Sequence, residues 1–295
     1  MSMINRCLTG AGVVAASLVG VIAFLYPFYI PRHGHALEVT SHAQDAPFLF
    51  VALIILCLGA LLADLGATQG SAKRIAILGV LAAIAAALRA VRVVGFSGIF
   101  FLPILGGYVF GPTFGFLLGA LSLTVSALLG GGVGPWLPFQ MFATGWVGLL
   151  SGLLPGSWLQ RLGRGEPTIL AMWGFVLGLI FGAIMNLWFW PFVFAPQQSA
   201  LNWQPGLSAA DTLRRYATFY VVTSLPHDLW RAGGNFLVLF LFGRPLLRLM
   251  RRFRQRFYFD VEPADLANAS APELERLCRD TDSRRQGLKC PRSVL

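Results

Sequence analysis

Long apolar runs, separated by short polar or glycine-rich segments, make up most of the chain. A helix of about 20 apolar residues crosses the hydrocarbon core of a bilayer, and runs of roughly this length predict a transmembrane bundle. Several of the runs are short. The eight predicted spans are residues 8–30, 47–65, 75–88, 96–110, 113–129, 139–154, 168–194 and 216–242.

Residues 111–155 contain no charged side chain and include two of these predicted helices. Between the helices lies a hinge, GGGVGPWLP at residues 130–138. A stretch this long and apolar does not face water, so it predicts membrane. The glycine, tryptophan and proline of the hinge indicate an adjustable lid at one bilayer surface rather than a catalytic centre.

Composition supports the same class of protein. Hydrophobic residues make up 56% of the chain, charged residues 12%, and the mean hydropathy is +0.67. These values exclude a soluble globular protein and predict an all-α integral membrane protein. The formal net charge is +10, but about half of the Lys and Arg residues follow residue 242, where lipid headgroups are nearer than nucleic acid.

The positive residues predict the orientation, because Arg and Lys resist translocation. Those near residues 6, 73–74, 161–164 and 244–256 share one side if both termini are cytoplasmic. The first run has no clear cleavage site and predicts a retained helix. Four arginines break the orientation rule, and we expect them either to serve another role or to snorkel to headgroups: Arg89, Arg92, Arg214 and Arg215.

Few residues favour catalysis or metal binding. GFSG at residues 95–98 resembles the pattern of intramembrane serine proteases, with Ser97 as nucleophile and His227 as base, but the motif is common by chance. His33, His35, His42 and Asp45 are more typical of a solvated loop than of a metal site. The four cysteines form no CxxC pair, and no GxxxxGK[ST] motif is present to hydrolyse ATP.

Small residues recur at helical spacing and predict close helix packing. For any one row, packing inside the protein is the more common explanation, and a partner surface is the alternative. We expect the alanine row to contact a partner. The rows are Gly111, Gly115 and Gly119; Gly148 and Gly152; Gly174, Gly178 and Gly182; and Ala76, Gly79, Ala83 and Ala87 with Ala82 and Ala86 beside them.

Polar residues form a stripe along one face of the last predicted span: Ser224, Asp228, Arg231 and Asn235. Ionisable groups at this depth face the interior of a bundle. Asp228 and Arg231 either neutralise each other as a structural pair or contact a substrate, and the pattern leaves both open. Asn186, in the preceding helix, needs a partner that this stripe would supply.

Aromatic residues cluster at the predicted outer surface. Trp136 lies in the hinge, and a second group surrounds Pro191 and Pro196. An interfacial aromatic belt is the simple explanation. Their concentration in two loops on one side favours a lid over a bulky, partly apolar ligand. The second group is Trp188, Trp190, Phe192, Phe194 and Trp203.

Residues 106–155, MNLWFWPF at 185–192 and DLWRAGGN at 228–235 carry a resemblance to a family. The chain resembles the membrane-embedded substrate-binding (S) components of energy-coupling factor (ECF) vitamin importers, and more narrowly a branch commonly assigned to cobalamin. The FGP motif before a small-residue helix and the GGGVGPWLP hinge are the most specific features. The resemblance covers residues 75–244.

The resemblance implies a six-helix core with cytoplasmic termini and three outer loops that close over the vitamin, here residues 89–97, 130–138 and 195–215. It also implies an AxxxA signature that docks the transmembrane (T) subunit, either Ala82 with Ala86 or Ala83 with Ala87. Two ATP-binding subunits would then drive import, with no catalytic residue, metal or cofactor in this chain. The N-terminal helices and the basic tail have no role in the core family.

The sequence therefore predicts about eight transmembrane helices of a bacterial plasma membrane protein. Residues 1–70 would hold two N-terminal helices, residues 71–246 the substrate-binding core, and residues 247–295 a basic, largely disordered cytoplasmic tail. The expected ligand is cobalamin or a related corrinoid. Alternatives are another vitamin, an ion-coupled secondary transporter and, least favoured, the protease. The candidate substrate-binding residues are Arg89, Gly132, Trp136, Asn186, Trp188, Trp190, Asp228, Arg231 and Asn235; the candidate partner-contact residues are Ala82, Ala83, Ala86 and Ala87.

Overall fold

The computed structural model describes residues 2–29, 45–65, 71–90, 92–93, 96–192 and 201–257. Within these ranges it does not describe the side chains of residues 2–9, 64–65, 71, 90, 92–93, 96–97 and 256–257. The chain divides into two units, residues 1–254 and residues 255–295. The predictions for His33, His35, His42, the Ser97 side chain and the tail beyond residue 257 lie outside the described parts.

The described residues are almost entirely helical, apart from one short antiparallel pair that joins Arg92 to Ser97 and Val93 to Phe96. Each strand of this pair has two residues, β1 (Arg92–Val93) and β2 (Phe96–Ser97). The helices are α1 (Ser2–Leu25), α2 (Ala46–Leu65), α3 (Ser71–Ala90), α4 (Phe101–Phe110), α5 (Pro112–Ser126), α6 (Leu137–Gly152), α7 (Gly156–Arg161), α8 (Glu166–Phe189), α9 (Ala209–Thr223) and α10 (Leu225–Phe257).

Among the described residues, five helical segments are long and apolar enough to cross a membrane. Four of them correspond to predicted spans, the fifth overlaps the predicted span 216–242 only in part, and the predicted span 96–110 is a shorter apolar helical segment, Gly98–Phe110. The five segments are Gly10–Phe28, Ala46–Ala63, Pro112–Gly131, Gly163–Phe192 and Leu225–Gln255.

The prediction of one helix across residues 216–242 is wrong. The chain breaks at Ser224, which separates α9 from α10. Pro226 explains the break, because in a continuous helix its ring would clash with the carbonyl four residues earlier and it has no N–H to donate. The last helix, α10, continues to Phe257, beyond residue 247 where the predicted tail begins.

Glycines allow α4, α5 and α6 to pack with their backbones almost in contact. A Cβ built on Gly115 would meet the carbonyl of Gly148, and one on Gly119 would meet the carbonyl of Thr144. Gly107 of α4 faces the same carbonyl of Gly148. These rows therefore pack inside the protein, and dispersion contacts between close backbones hold the three helices together where lipid offers no hydrophobic driving force.

The same arrangement joins α8 to α10. A Cβ on Gly174 would meet the Leu239 side chain, and one on Gly178 would lie 2.9 Å from the Cα of Ala232. At Gly182 the neighbour is the Asp228 carboxylate. The third glycine row thus brings a charged side chain of α10 against the backbone of α8.

Glycines also shape the hinge after α5. Residues Ala127–Gly131 form a π-helical turn, within which Gly130 has φ of 93°, and Gly132 follows with φ of 91°. L-residues with a side chain rarely adopt such values. The predicted hinge is therefore a backbone feature that only glycine forms without strain.

Substituting Gly115 with Ala should destabilise the fold, because the new methyl group would push α5 away from the carbonyl of Gly148. Overpacking of this kind costs about 1–3 kcal/mol. Gly59→Ala in α2 is the control, since a Cβ there meets nothing within 4 Å. Thermal unfolding in detergent measures both. Equal melting temperatures for the two variants would contradict the packing described.

Candidate ligand-binding site

A cavity of about 460 Å³ lies where the start of α6, the end of α8 and the junction of α9 with α10 meet. Its walls combine aromatic rings, an amide and an ion pair. The lining residues are Trp136, Gln140, Gly182, Met185, Asn186, Trp188, Phe189, Thr223, Ser224, His227, Asp228 and Arg231. Five of the predicted substrate-binding residues are thereby brought together: Trp136, Asn186, Trp188, Asp228 and Arg231.

An ion pair forms one wall of the cavity. Nη1 of Arg231 donates to Oδ1 of Asp228 at 2.6 Å, and Nη2 lies 3.1 Å from Nδ1 of His227. The guanidinium also sits 5.2 Å above the ring centre of Phe181, a cation–π contact. The predicted ion pair is therefore formed, and it borders the cavity; substrate contact by this pair stays a prediction.

The second carboxylate oxygen of Asp228 is buried and has no hydrogen-bond partner among the described residues. Only 2% of Asp228 is exposed, and its carboxylate lies against Gly182. A buried carboxylate oxygen without a donor is costly. Oδ2 of Asp228 is therefore an acceptor without a donor, on a residue that lines the cavity.

Asn186 joins α8 to the start of α10. Its Nδ2 donates to the carbonyl of Gly182 at 2.8 Å, and its Oδ1 accepts from the Ser224 hydroxyl at 2.8 Å. Ser224 belongs to the predicted polar stripe, so the prediction that the stripe would supply a partner for Asn186 is confirmed. These bonds fix the amide at the cavity wall.

Arg89 does not line the cavity, but it contacts Gln140, which does. Nη2 of Arg89 donates to Oε1 of Gln140 at 3.1 Å, and Nη1 donates to the Ser126 hydroxyl at 3.2 Å. Arg89 is one of the arginines that break the orientation rule. These contacts give it a defined role, because they link α3 and α5 to the cavity residue Gln140. Sequence reasoning missed Gln140, although it is a lone amide four residues after Trp136 in an otherwise apolar helix.

Besides Arg89, three predicted site residues do not line the cavity. Trp190 is fully buried, and its Nε1 donates to the carbonyl of Leu201 at 2.8 Å. Asn235 is buried one layer deeper, 3.5 Å from the carbonyl of Gly174. Gly132 lies in the hinge. Helical spacing predicted a shared face for Asn235 and Asp228, but the last residue of α10 that lines the cavity is Arg231, about one turn before Asn235.

The two alanine pairs of α3 differ in exposure. Ala82 and Ala86 are 2% and 1% exposed and pack inside the protein, whereas Ala83 and Ala87 are exposed. Beside this face, an apolar groove of about 1360 Å³ lies between α3, α4 and α10. Only the second pair is available to a partner in this conformation.

No group of three or more His, Cys, Asp or Glu residues gathers among the described side chains in a way that would hold a metal ion. The cavity instead offers one anionic acceptor, one cation, two amides and aromatic surface. Groups of these kinds can bind an organic molecule by hydrogen bonds and stacking.

The family described as "ECF transporter, substrate-specific component" has a sequence model that matches residues 73–242, more than half of the chain. The chain belongs to this ECF family. Every residue that lines the cavity lies inside the matched range. No curated protein and no solved structure matches the chain significantly.

Membership of the ECF substrate-specific component family confirms the resemblance seen in the sequence at the level of the family. This is a family of transporter components and not of enzymes, and its members work with T and ATPase modules. Together with the five apolar spans, it supports a multi-pass membrane protein. α1 and α2 lie outside the matched residues.

Removing one partner of the Asp228–Arg231 pair should destabilise the ECF protein more than removing both. Arg231→Gln leaves a buried, uncompensated carboxylate, at a cost of about 3 kcal/mol. Adding Asp228→Asn should recover most of this loss. Thermal unfolding of the two single variants, the double variant and an Arg252→Gln surface control measures the coupling. Additive single effects would contradict it.

Proposed function

We propose that this chain is the substrate-capture subunit of an ECF-type vitamin importer and that the 460 Å³ cavity receives the vitamin. The proposal rests most on Asp228, which lines the cavity and whose buried Oδ2 has no hydrogen-bond donor among the described residues. Family membership supplies the transport role. The cavity is the proposed binding site, because polar groups that a ligand would contact lie together in its wall.

The walls indicate what kind of molecule is held. Trp136, Trp188 and Phe189 offer apolar faces, while Gln140 and Asn186 offer amides. Because Asp228 and Arg231 neutralise each other, the site carries little net charge for a ligand to balance. A flat, partly apolar molecule with a hydrogen-bond donor for Asp228 fits these groups.

Cobalamin or a related corrinoid is the ligand that the resemblance implies, and it stays our first candidate. The size of a corrinoid limits how it would fit the cavity. Pockets of about 300–1,000 Å³ enclose drug-sized ligands, and the cavity lies in the lower part of this range. A corrinoid is larger, so it would extend from the cavity past Trp136. The cavity volume therefore favours a second candidate, a smaller vitamin enclosed as a whole.

Delivery would require a T subunit and two ATP-binding subunits. We assign the partner surface to Ala83 and Ala87, because they are exposed and Ala82 and Ala86 are not. The glycine hinge at 130–132 would let Trp136 move over the bound vitamin. In this proposal residues 71–246 form the membrane core, both termini are cytoplasmic, and the membrane is the bacterial plasma membrane.

Two substitutions should weaken binding of the vitamin at a temperature well below the melting temperature of each variant. Asp228→Asn exchanges the acceptor that faces the ligand for an amide, and Trp136→Ala removes an aromatic wall. We expect each to raise Kd about tenfold, which corresponds to ~1.4 kcal/mol. Trp158→Ala is the matched control, because Trp158 is exposed and lies outside the cavity.

Equilibrium binding of a vitamin panel that includes cobalamin measures these variants. Binding that no cavity variant changes would contradict the assigned site. Uptake that persists in cells lacking the ATP-binding subunits would instead favour an ion-coupled carrier, with Asp228 and Arg231 as its coupling pair.

A further inference from the structure

We propose that the opposite end of α8 and α10 holds a site for the phosphate of an anionic phospholipid. A pocket of about 290 Å³ lies there, between the turn before α8 and the basic part of α10. Four arginines from these two elements line it. The lining residues are Gln160, Gly163, Arg164, Glu166, Pro167, Arg244, Leu247, Arg248 and Arg251.

The one carboxylate in this pocket is already neutralised. Glu166 is 5% exposed, and both of its oxygens accept from Arg251, Oε2 from Nη1 at 3.0 Å and Oε1 from Nη2. The Tyr108 hydroxyl also donates to Oε1 of Glu166. The buried pair fixes Arg251 and the first turn of α8 in place, so the pocket has a rigid floor.

The other three arginines have no carboxylate partner among the described residues. Arg164, Arg244 and Arg248 all border the pocket, and all three are exposed. The start of the 24-residue helix α8 adds the positive end of its dipole. Guanidinium groups bind phosphate oxygens through paired N–H donors, so three of them around one small pocket suit a phosphate.

Neighbouring apolar surface favours a lipid over free phosphate. Trp158 and Leu162 are exposed in the segment directly before the pocket residues Gly163 and Arg164. A headgroup in the arginine pocket would leave its acyl chains near these apolar side chains. The bias of positive charge predicts that this end faces the cytoplasm, where anionic lipid attracts basic residues.

The test compares two triple variants with equal change in charge. One is Arg164→Gln, Arg244→Gln and Arg248→Gln; the control is Lys73→Gln, Arg161→Gln and Arg252→Gln, none of which lines the pocket. Native mass spectrometry and melting temperatures are measured in micelles that contain phosphatidylglycerol or phosphatidylcholine, and with inorganic phosphate alone.

We expect the wild-type protein to prefer phosphatidylglycerol about tenfold, the control triple to keep this preference and the pocket triple to lose it. Equal losses in both triples would overturn the site, because diffuse attraction would then explain binding. Stabilisation by inorganic phosphate equal to that by phosphatidylglycerol would overturn the lipid as occupant. No preference in the wild-type protein would overturn the proposal entirely.

A separate set of contacts links the N-terminal helices, which the family match does not include, to the rim of the cavity. This second inference rests on the proposed function. Phe28, just after α1, lies between two tryptophans of the outer side. Its ring centre is 5.9 Å from that of Trp190 and 5.5 Å from that of Trp203. Earlier on α1, Phe24 packs edge-on against Phe139 of α6 at 5.0 Å.

Trp190 in turn holds the segment that leads to α9. It donates to the carbonyl of Leu201, and its ring lies 5.1 Å from that of Tyr216. Arg215 donates to the carbonyl of Asn202 at 3.1 Å. Because Trp188 lines the cavity two residues before Trp190, we infer that Phe28 is a positioning residue that keeps the cavity rim in place.

Phe28→Ala tests this role against Phe48→Ala, a change at a side chain that is 78% exposed. Hydrogen exchange of residues 201–216 in ligand-free protein should rise several-fold for Phe28→Ala only. Unchanged exchange would overturn the positioning role whatever the ligand is. With a bound vitamin, dissociation should also quicken; faster exchange without faster dissociation would overturn the link to binding.

Discussion

The close approach of helix backbones at glycine is the constraint on which the rest of this structure depends. Lipid gives helices no hydrophobic reason to associate, so packing has to come from contacts that side chains would prevent. Gly115 and Gly148 bring α5 onto α6, and Gly178 and Gly182 bring α10 onto α8. These two glycine contacts, which we call the first and second seam, fix the position of the cavity between Trp136 on one side and Asp228 on the other.

The second seam also determines the chemistry of the cavity. With no side chain at Gly182, the Asp228 carboxylate reaches the backbone of α8 and is shielded from solvent. Arg231 compensates its charge at 2.6 Å, and one oxygen is left for a donor. The site therefore combines a neutral overall charge with one strong acceptor, which suits a ligand selected by shape and hydrogen bonding. Asn186 and Gln140 widen that polar surface without adding charge.

Much of this arrangement follows from the sequence, since apolar runs, glycine spacing and the polar stripe depend on helical period alone. Asp228, Arg231 and Asn186 were found because ionisable or amide groups in apolar helices need partners. Other features depend on tertiary contacts that periodicity does not encode. Trp190 looked like a lid residue but is buried by Phe28 and Tyr216. Exposure, not spacing, separates Ala83 from Ala82, and the break at Ser224 reflects local proline geometry.

The central claim is that the Asp228 carboxylate accepts a hydrogen bond from the transported vitamin. A high-resolution structure of the protein purified with its vitamin tests this most directly. The account predicts ligand density between Trp136 and Trp188, with a donor atom about 3 Å from Oδ2 of Asp228. Ligand density elsewhere, with the cavity unoccupied and Oδ2 of Asp228 still without a donor, would contradict it.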